Sequence, residues 1–121
     1  MLREHLEKLC LLCGASGNEK AVREYIMEQA KPYADSMTVD PLGSLIIEKK
    51  GAARSPKKLM ISAHMDEVGM IVTDVLEGGF LRMAKIGGID PAIIQASDLI
   101  VCGNETLRGV AVSTPPHLRA G

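Results

Sequence analysis

The spacing of hydrophobic residues along the chain changes near residue 69. Before this point, apolar residues recur every three to four positions in two segments, as in amphipathic helices, with short strand-like runs after them. After it, short apolar runs alternate with glycine-rich turns, which is typical of small antiparallel strands. The pattern predicts an α/β unit over residues 1–69 and a β-rich unit over residues 70–121.

The first unit is predicted to contain two helices and three strands. The first helix covers residues 2–13, and Ser16-Gly17-Asn18-Glu19 matches a capping box that opens the second helix. The second helix ends near Pro32. The three strands of this unit are predicted at 37–39, 42–49 and 59–63. The second unit has predicted strands at 70–75, 80–84, 98–102 and 107–112, with a hairpin turn at 77–79 and a helical turn at 91–96.

The strand at 59–63 leads directly into the most polar motif of the chain, His64-Met65-Asp66-Glu67. Its continuous hydrophobicity suits the middle of a sheet that is covered on both faces. Strand alternation places His64 and Asp66 on one face, where the carboxylate can orient an imidazole that binds a metal ion. A simple hydrogen-bonded polar pair fits the same residues, and the motif alone leaves both interpretations open.

Charge and composition exclude several classes of protein. The 121 residues include 14 basic and 15 acidic side chains, for a net charge of -1. Nucleic acid and anionic membranes are therefore not expected partners, because both usually require a basic surface. The N-terminal residues do not resemble a signal peptide, and no apolar run approaches the roughly 18 residues that span a bilayer. We expect a soluble, cytoplasmic protein.

The three cysteines, Cys10, Cys13 and Cys102, do not suggest a disulfide framework. Cys10 and Cys13 form a C-x-x-C pair, but no second pair is present to complete a four-thiolate zinc site. Both share the helical spacing of the leucines in the first helix. We expect them to lie on its apolar face, as small hydrophobic residues.

Taken together, the motifs resemble the N-terminal third of the tetrahedral, or glutamyl-type, aminopeptidases, a family of two-metal peptidases of which some were once labelled cellulases. Six segments match in order along nearly the whole chain. They are Gly14-Ala15-Ser16-Gly17-Asn18-Glu19, Asp40-Pro41-Leu42-Gly43-Ser44-Leu45-Ile46, His64-Met65-Asp66-Glu67-Val68-Gly69, Gly79-Phe80-Leu81-Arg82, Ile86-Gly87-Gly88-Ile89-Asp90-Pro91, and Gly109-Val110 with Pro115-Pro116-His117-Leu118.

The resemblance implies a site, a fold and an assembly. His64 would bind one of two divalent metal ions, zinc or cobalt, and Asp66 would take a catalytic role by orienting that imidazole. The paired ions would activate water and polarise the scissile carbonyl. The implied fold is α/β: helices packed on a mixed sheet over residues 1–69, with an incomplete β-rich dimerisation domain inserted at 70–121. The implied partners are peptides and further copies of the chain, in dimer-based tetrahedral assemblies such as dodecamers.

Two departures from the family pattern qualify these expectations. Ser44 replaces an expected asparagine, and the remaining metal ligands and the general base of the family would lie beyond residue 121. His5 and His117 are not spaced to reach His64. The sequence therefore predicts an N-terminal fragment of a metal-dependent aminopeptidase that removes N-terminal residues from short peptides, inactive alone and with exposed strand edges. The alternatives are a non-catalytic binding or assembly module and a related two-metal hydrolase of another amide bond.

Overall fold

The computed structural model describes residues 1–51 and 57–113 of the chain. These residues form three helices, six strands and one 3₁₀ turn. In chain order the elements are α1 (Leu2–Cys10), α2 (Lys20–Ala30), β1 (Ser36–Val39), β2 (Leu45–Glu48), β3 (Gly69–Val75), the 3₁₀ turn (Glu77–Gly79), β4 (Leu81–Ile86), α3 (Pro91–Ile94), β5 (Asp98–Cys102) and β6 (Thr106–Val110).

The described strands pair as three separate antiparallel hairpin sheets, β1 with β2, β3 with β4, and β5 with β6. Each pair consists of neighbours in sequence, as short turns between strands favour. The prediction of a mixed sheet is not met, because the parallel pairing within the described residues is a single bridge between Ala15 and Glu67. The chain is nevertheless a small α/β structure, with both helix-rich and strand-rich parts.

The two long helices contact each other through a polar pair. Nδ1 of His5 lies 2.7 Å from the hydroxyl oxygen of Tyr25, and the contact is partly buried. His5 is not spaced to reach His64, and it has Tyr25 as its partner instead. The second helix also contacts the first hairpin, because the guanidinium of Arg23 donates a hydrogen bond to the carbonyl of Gly43 at 3.0 Å.

The turn between β1 and β2 is organised by one carboxylate, Asp40. It accepts hydrogen bonds from the main-chain N–H groups of Leu42 at 2.9 Å and Ser44 at 2.8 Å. The bond from Ser44 is the main cause that holds the pKa of Asp40 below its ordinary value. Gly43 has a φ of +89°, a conformation that suits glycine. This turn joins β1 to β2, which overlap the strands predicted near 37–39 and 42–49.

The buried core of the described residues is small. Val22 and Ala111 are its buried hydrophobic side chains, each 6% exposed. The accessible surface is 10627 Å², whereas a compact monomer of this size exposes about 6,300 Å².

No helix in the described ranges is long and apolar enough to cross a membrane.

The predicted strand at 59–63 is the largest error of the sequence-based expectations. These residues pair with no strand in the described part of the chain, and Leu59, Met60 and Ile61 are 88%, 88% and 87% exposed. A strand that is covered on both faces needs neighbouring strands and packing layers. The described residues supply neither, so the apolar run is exposed to solvent.

The cysteine prediction is also wrong. Cys13 and Cys102 form a disulfide across 89 positions of sequence, with their Cα atoms 6.6 Å apart. Helix α1 ends at Cys10, so Cys13 lies outside the apolar face on which it was expected. Cys10 is a free and exposed thiol rather than a core residue. The disulfide joins the loop after α1 to the end of β5.

Candidate functional site

His64 and Asp66 lie together in the segment that precedes β3. The Nδ1 atom of His64 is 2.8 Å from the main-chain oxygen of Asp66 and 3.3 Å from its Oδ1. Both neighbours are acceptors, so a neutral imidazole carries its proton on Nδ1 and keeps the lone pair of Nε2 available. The side chain of His64 is 86% exposed. The structure thus brings together the two residues that the sequence singled out.

A third residue, Ser16, completes this polar group. Its hydroxyl donates a hydrogen bond to Oδ2 of Asp66 at 2.6 Å, in a partly buried position. This bond is the leading cause that lowers the pKa of the Asp66 carboxyl below its ordinary value, with smaller contributions that include the charge of His64. The carboxylate therefore contacts Ser16 through one oxygen and His64 through the other.

The sequence assigned Ser16 a different role. The expected capping box does not form, since α2 has Glu19 as its N-cap residue and no side-chain cap hydrogen bond. Instead, the Glu19 carboxylate accepts a hydrogen bond from the N–H of Gly17 at 2.6 Å. Ser16 and Asp66 are separated by 50 positions. A local sequence pattern does not predict a contact between residues that are so far apart in the chain.

The segment around Ser16 is held firmly against the site. The N–H of Glu67 donates to the carbonyl of Gly14 at 2.8 Å, and Ala15 forms the parallel bridge with Glu67. A Cβ added at Gly69 would lie 2.9 Å from Cβ of Ala15, which is closer than real Cβ contacts. The absence of a side chain at Gly69 thus lets the two segments approach.

A groove of about 240 Å³ opens beside the imidazole, between the two long helices and the His64 segment. Apolar groups make up most of its wall. It is lined by Leu9, Cys10, Gly14, Val22, Ile26, His64, Met65 and Glu67. His64 therefore borders a concave surface.

The described residues do not fit a two-metal centre by themselves. No group of three or more histidine, cysteine, aspartate or glutamate side chains in residues 1–51 and 57–113 is placed to hold a metal ion. A catalytic zinc usually takes three protein ligands. His5 contacts Tyr25, while His117 lies outside the described residues. Among the described residues, His64 presents an imidazole suited to one ligand position, and its assignment stays a prediction.

Comparison with known proteins identifies the family. Residues 43–121 match the M42 glutamyl aminopeptidase family. The lysyl aminopeptidase of Pyrococcus furiosus is 35% identical over 118 residues, which cover 96% of this chain and 33% of that protein. This chain belongs to the M42 glutamyl aminopeptidase family, whose members are hydrolases. The family resemblance inferred from the six motifs is therefore confirmed.

Solved structures agree with this assignment. The TET aminopeptidase of a marine sediment thaumarchaeon superposes with a TM-score of 0.85 at 34% identity, over 98% of this chain and 33% of that one. The TET1 peptidase of Pyrococcus horikoshii, which can assemble into a tetrahedron or a large octahedral shell, gives a TM-score of 0.79 at 36% identity, over 98% of this chain and 35% of that one. This chain spans between 24% and 33% of the length of the first two curated relatives that it matches.

Proposed function

We propose that this chain forms the N-terminal part of a metal-dependent aminopeptidase that removes N-terminal residues from short peptides. In this proposal His64 supplies one ligand to a divalent metal ion, zinc or cobalt, through Nε2. Asp66 holds the ring in the required tautomer from the other side. The observation that carries the proposal is the contact of His64 Nδ1 with Asp66, at 2.8 Å to the main chain and 3.3 Å to the carboxylate, within a family motif.

The remaining ligands and the general base are proposed to come from polypeptide that is not among these 121 residues. Two observations support this part of the proposal. The described residues contain no three-group metal cluster. The apolar segment Leu59–Ile61, just before His64, is almost fully exposed and has the composition of an interior strand. Further strands beside it would complete the sheet and bring other ligands near the imidazole.

The finer features of the whole protein are proposed on the same basis. The β-rich part after Gly69 would be the start of an inserted dimerisation domain, and the complete protein would form dimer-based oligomers. The assembly of the Pyrococcus horikoshii TET1 peptidase supports this expectation. A cytoplasmic location is retained as a prediction, although disulfides such as Cys13–Cys102 are uncommon there and are often redox-active when present.

The test begins with the gene beyond codon 121. If the reading frame continues, the complete product should release the N-terminal residue of short peptides, and chelation should abolish this activity. His64→Ala should lose more activity than the roughly 10–100-fold that removing the hydrogen-bond partner of a metal ligand costs. His5→Ala, which alters a histidine away from the site, should retain it. Full activity of His64→Ala would contradict the proposal, as would a stop codon after Gly121.

A second candidate function applies to the 121 residues as a separate product. A non-catalytic assembly module is favoured by the lack of a three-group metal cluster in the described residues. In this case the chain should show no peptide hydrolysis and no saturable binding in a calorimetric titration with zinc or cobalt. Micromolar binding that disappears in His64→Ala would contradict the module, because it would show a self-contained site.

A further inference from the structure

We propose that Ser16 is a positioning residue for the His64 imidazole, acting through Asp66; the proposal rests on the function proposed above for that site. The carboxylate of Asp66 bridges the two residues, with Oδ2 2.6 Å from the Ser16 hydroxyl and Oδ1 3.3 Å from Nδ1 of His64. Ser16 thus fixes the orientation of the carboxylate that selects the ring tautomer.

The backbone places Ser16 for this contact. It occupies the second position of a hydrogen-bonded turn, in which the N–H of Asn18 donates to the carbonyl of Ala15 at 2.8 Å. Gly17, the third residue of the turn, has a φ of +90°, as a type II turn requires. The bridge between Ala15 and Glu67 then holds this turn beside the His64 segment.

Exposure explains why such a restraint matters. The Asp66 side chain is 43% exposed and His64 is 86% exposed, so packing alone does not hold either group in one conformation. Without the Ser16 hydroxyl, the carboxylate is free to rotate toward solvent. The imidazole would then keep only the main-chain oxygen of Asp66 as an acceptor, and its preference for the Nδ1–H tautomer would weaken.

The order of the three groups excludes a nucleophilic role for Ser16. In a serine hydrolase the imidazole lies between the serine and the carboxylate and takes the hydroxyl proton. Here the carboxylate lies between the serine and the imidazole. The hydroxyl donates its hydrogen bond to Asp66, so Ser16 orients the carboxylate and does not act as a nucleophile.

The test uses ¹⁵N NMR of the histidine rings in the 121-residue chain without metal, at about pH 8, where an ordinary imidazole is neutral. In the parent, the His64 resonances should show the proton on Nδ1. In Ser16→Ala, the Nδ1 and Nε2 resonances should move toward each other as both tautomers become populated. Ser16→Thr keeps the hydroxyl and should restore the separation.

Ser36→Ala is the matched control, because Ser36 also donates to a carboxylate, that of Glu48 at 3.0 Å, but on the β1–β2 hairpin. It should leave the His64 resonances unchanged. A folded Ser16→Ala chain with parent-like His64 resonances would overturn the proposal. Should that variant not fold, side-chain NOEs between Ser16 and Asp66 in the parent decide: their presence supports the contact, and their absence overturns it.

Asp66→Ala separates this proposal from the function on which it rests. If Asp66→Ala moves the His64 resonances and Ser16→Ala does not, the role of Ser16 is wrong and the pairing of His64 with Asp66 stands. If neither variant moves them, the main-chain oxygen of residue 66 holds the ring without the carboxylate, and the role of Ser16 is wrong. The proposed function fails separately, if His64→Ala keeps full activity in the complete gene product.

Discussion

Loss of the disulfide between Cys13 and Cys102 should destabilise this chain more than any other single change. The bond closes a loop across 89 positions of sequence. For a loop of this length, the chain-entropy relation gives a stabilisation of about 4.6 kcal/mol. Val22 and Ala111 are the buried hydrophobic side chains of the described residues, so packing offers little to offset that loss.

The perturbation is Cys102→Ser, and the assay is thermal unfolding followed by circular dichroism without reductant. With an unfolding entropy of about 2.1 cal/mol/K per residue over this chain, the loss corresponds to a fall in Tm of about 18 °C. Cys13→Ser is a weaker test, because the free thiol of Cys10 lies three positions away and could replace its sulfur. Reductant added to the parent should reproduce the fall.

Cys10→Ser is the matched control, since it removes the free, exposed thiol and leaves the disulfide intact. Its Tm should equal that of the parent. Thiol titration of the unfolded parent should find one reactive cysteine. If Cys102→Ser has the same Tm as the parent, the disulfide does not stabilise the fold. If the parent has three reactive thiols, the disulfide is not formed.

Three further predictions concern the packing and charge of the fold. Gly69→Ala should destabilise the chain by about 1–3 kcal/mol through overpacking. A Cβ added at Gly88 meets no atom within 4 Å, so Gly88→Ala should be close to neutral. Equal unfolding midpoints of the two variants in urea would contradict this prediction. Tyr25→Phe should cost about 1 kcal/mol by removing the interhelical hydrogen bond, while Tyr33→Phe, at a 73% exposed position, should not, and the same urea assay compares them. The pKa of Asp40 is lowered in the folded state from an ordinary 3.8. The ionised Asp40 carboxylate therefore stabilises the folded state above that pH, and this stabilisation is lost as the pH falls below it. Asp40→Asn keeps an acceptor but cannot titrate, so the free energy of unfolding of this variant should fall less steeply between about pH 5 and pH 2 than that of the parent. Parallel plots of unfolding free energy against pH would contradict this role of Asp40.

The local elements of the fold were predictable from sequence. Helix α2 follows from its apolar spacing and ends at Ala30, shortly before Pro32. The hairpins follow because each strand pairs with its neighbour across a short turn that contains glycine, aspartate or asparagine. The motif at His64 and Asp66 was found for the same reason, since residues two positions apart can be judged from local geometry.

Contacts between distant parts of the chain were not predictable. The disulfide joins residues 89 positions apart, and the contact of Ser16 with Asp66 spans 50. In both cases a local pattern suggested another role: a helix face for Cys13 and a capping box for Ser16. The hydrophobic run at 59–63 indicated a buried strand, but its burial depends on partners that the described residues do not include.

His64 is proposed as the metal ligand that this part of an M42 aminopeptidase contributes. The most direct test of this assignment is the number of divalent ions bound per chain in the purified complete gene product, measured by elemental analysis. The parent and His5→Ala should bind the same number of ions, and His64→Ala should bind fewer. Equal metal content in His64→Ala and the parent would contradict the assignment of His64 as a metal ligand.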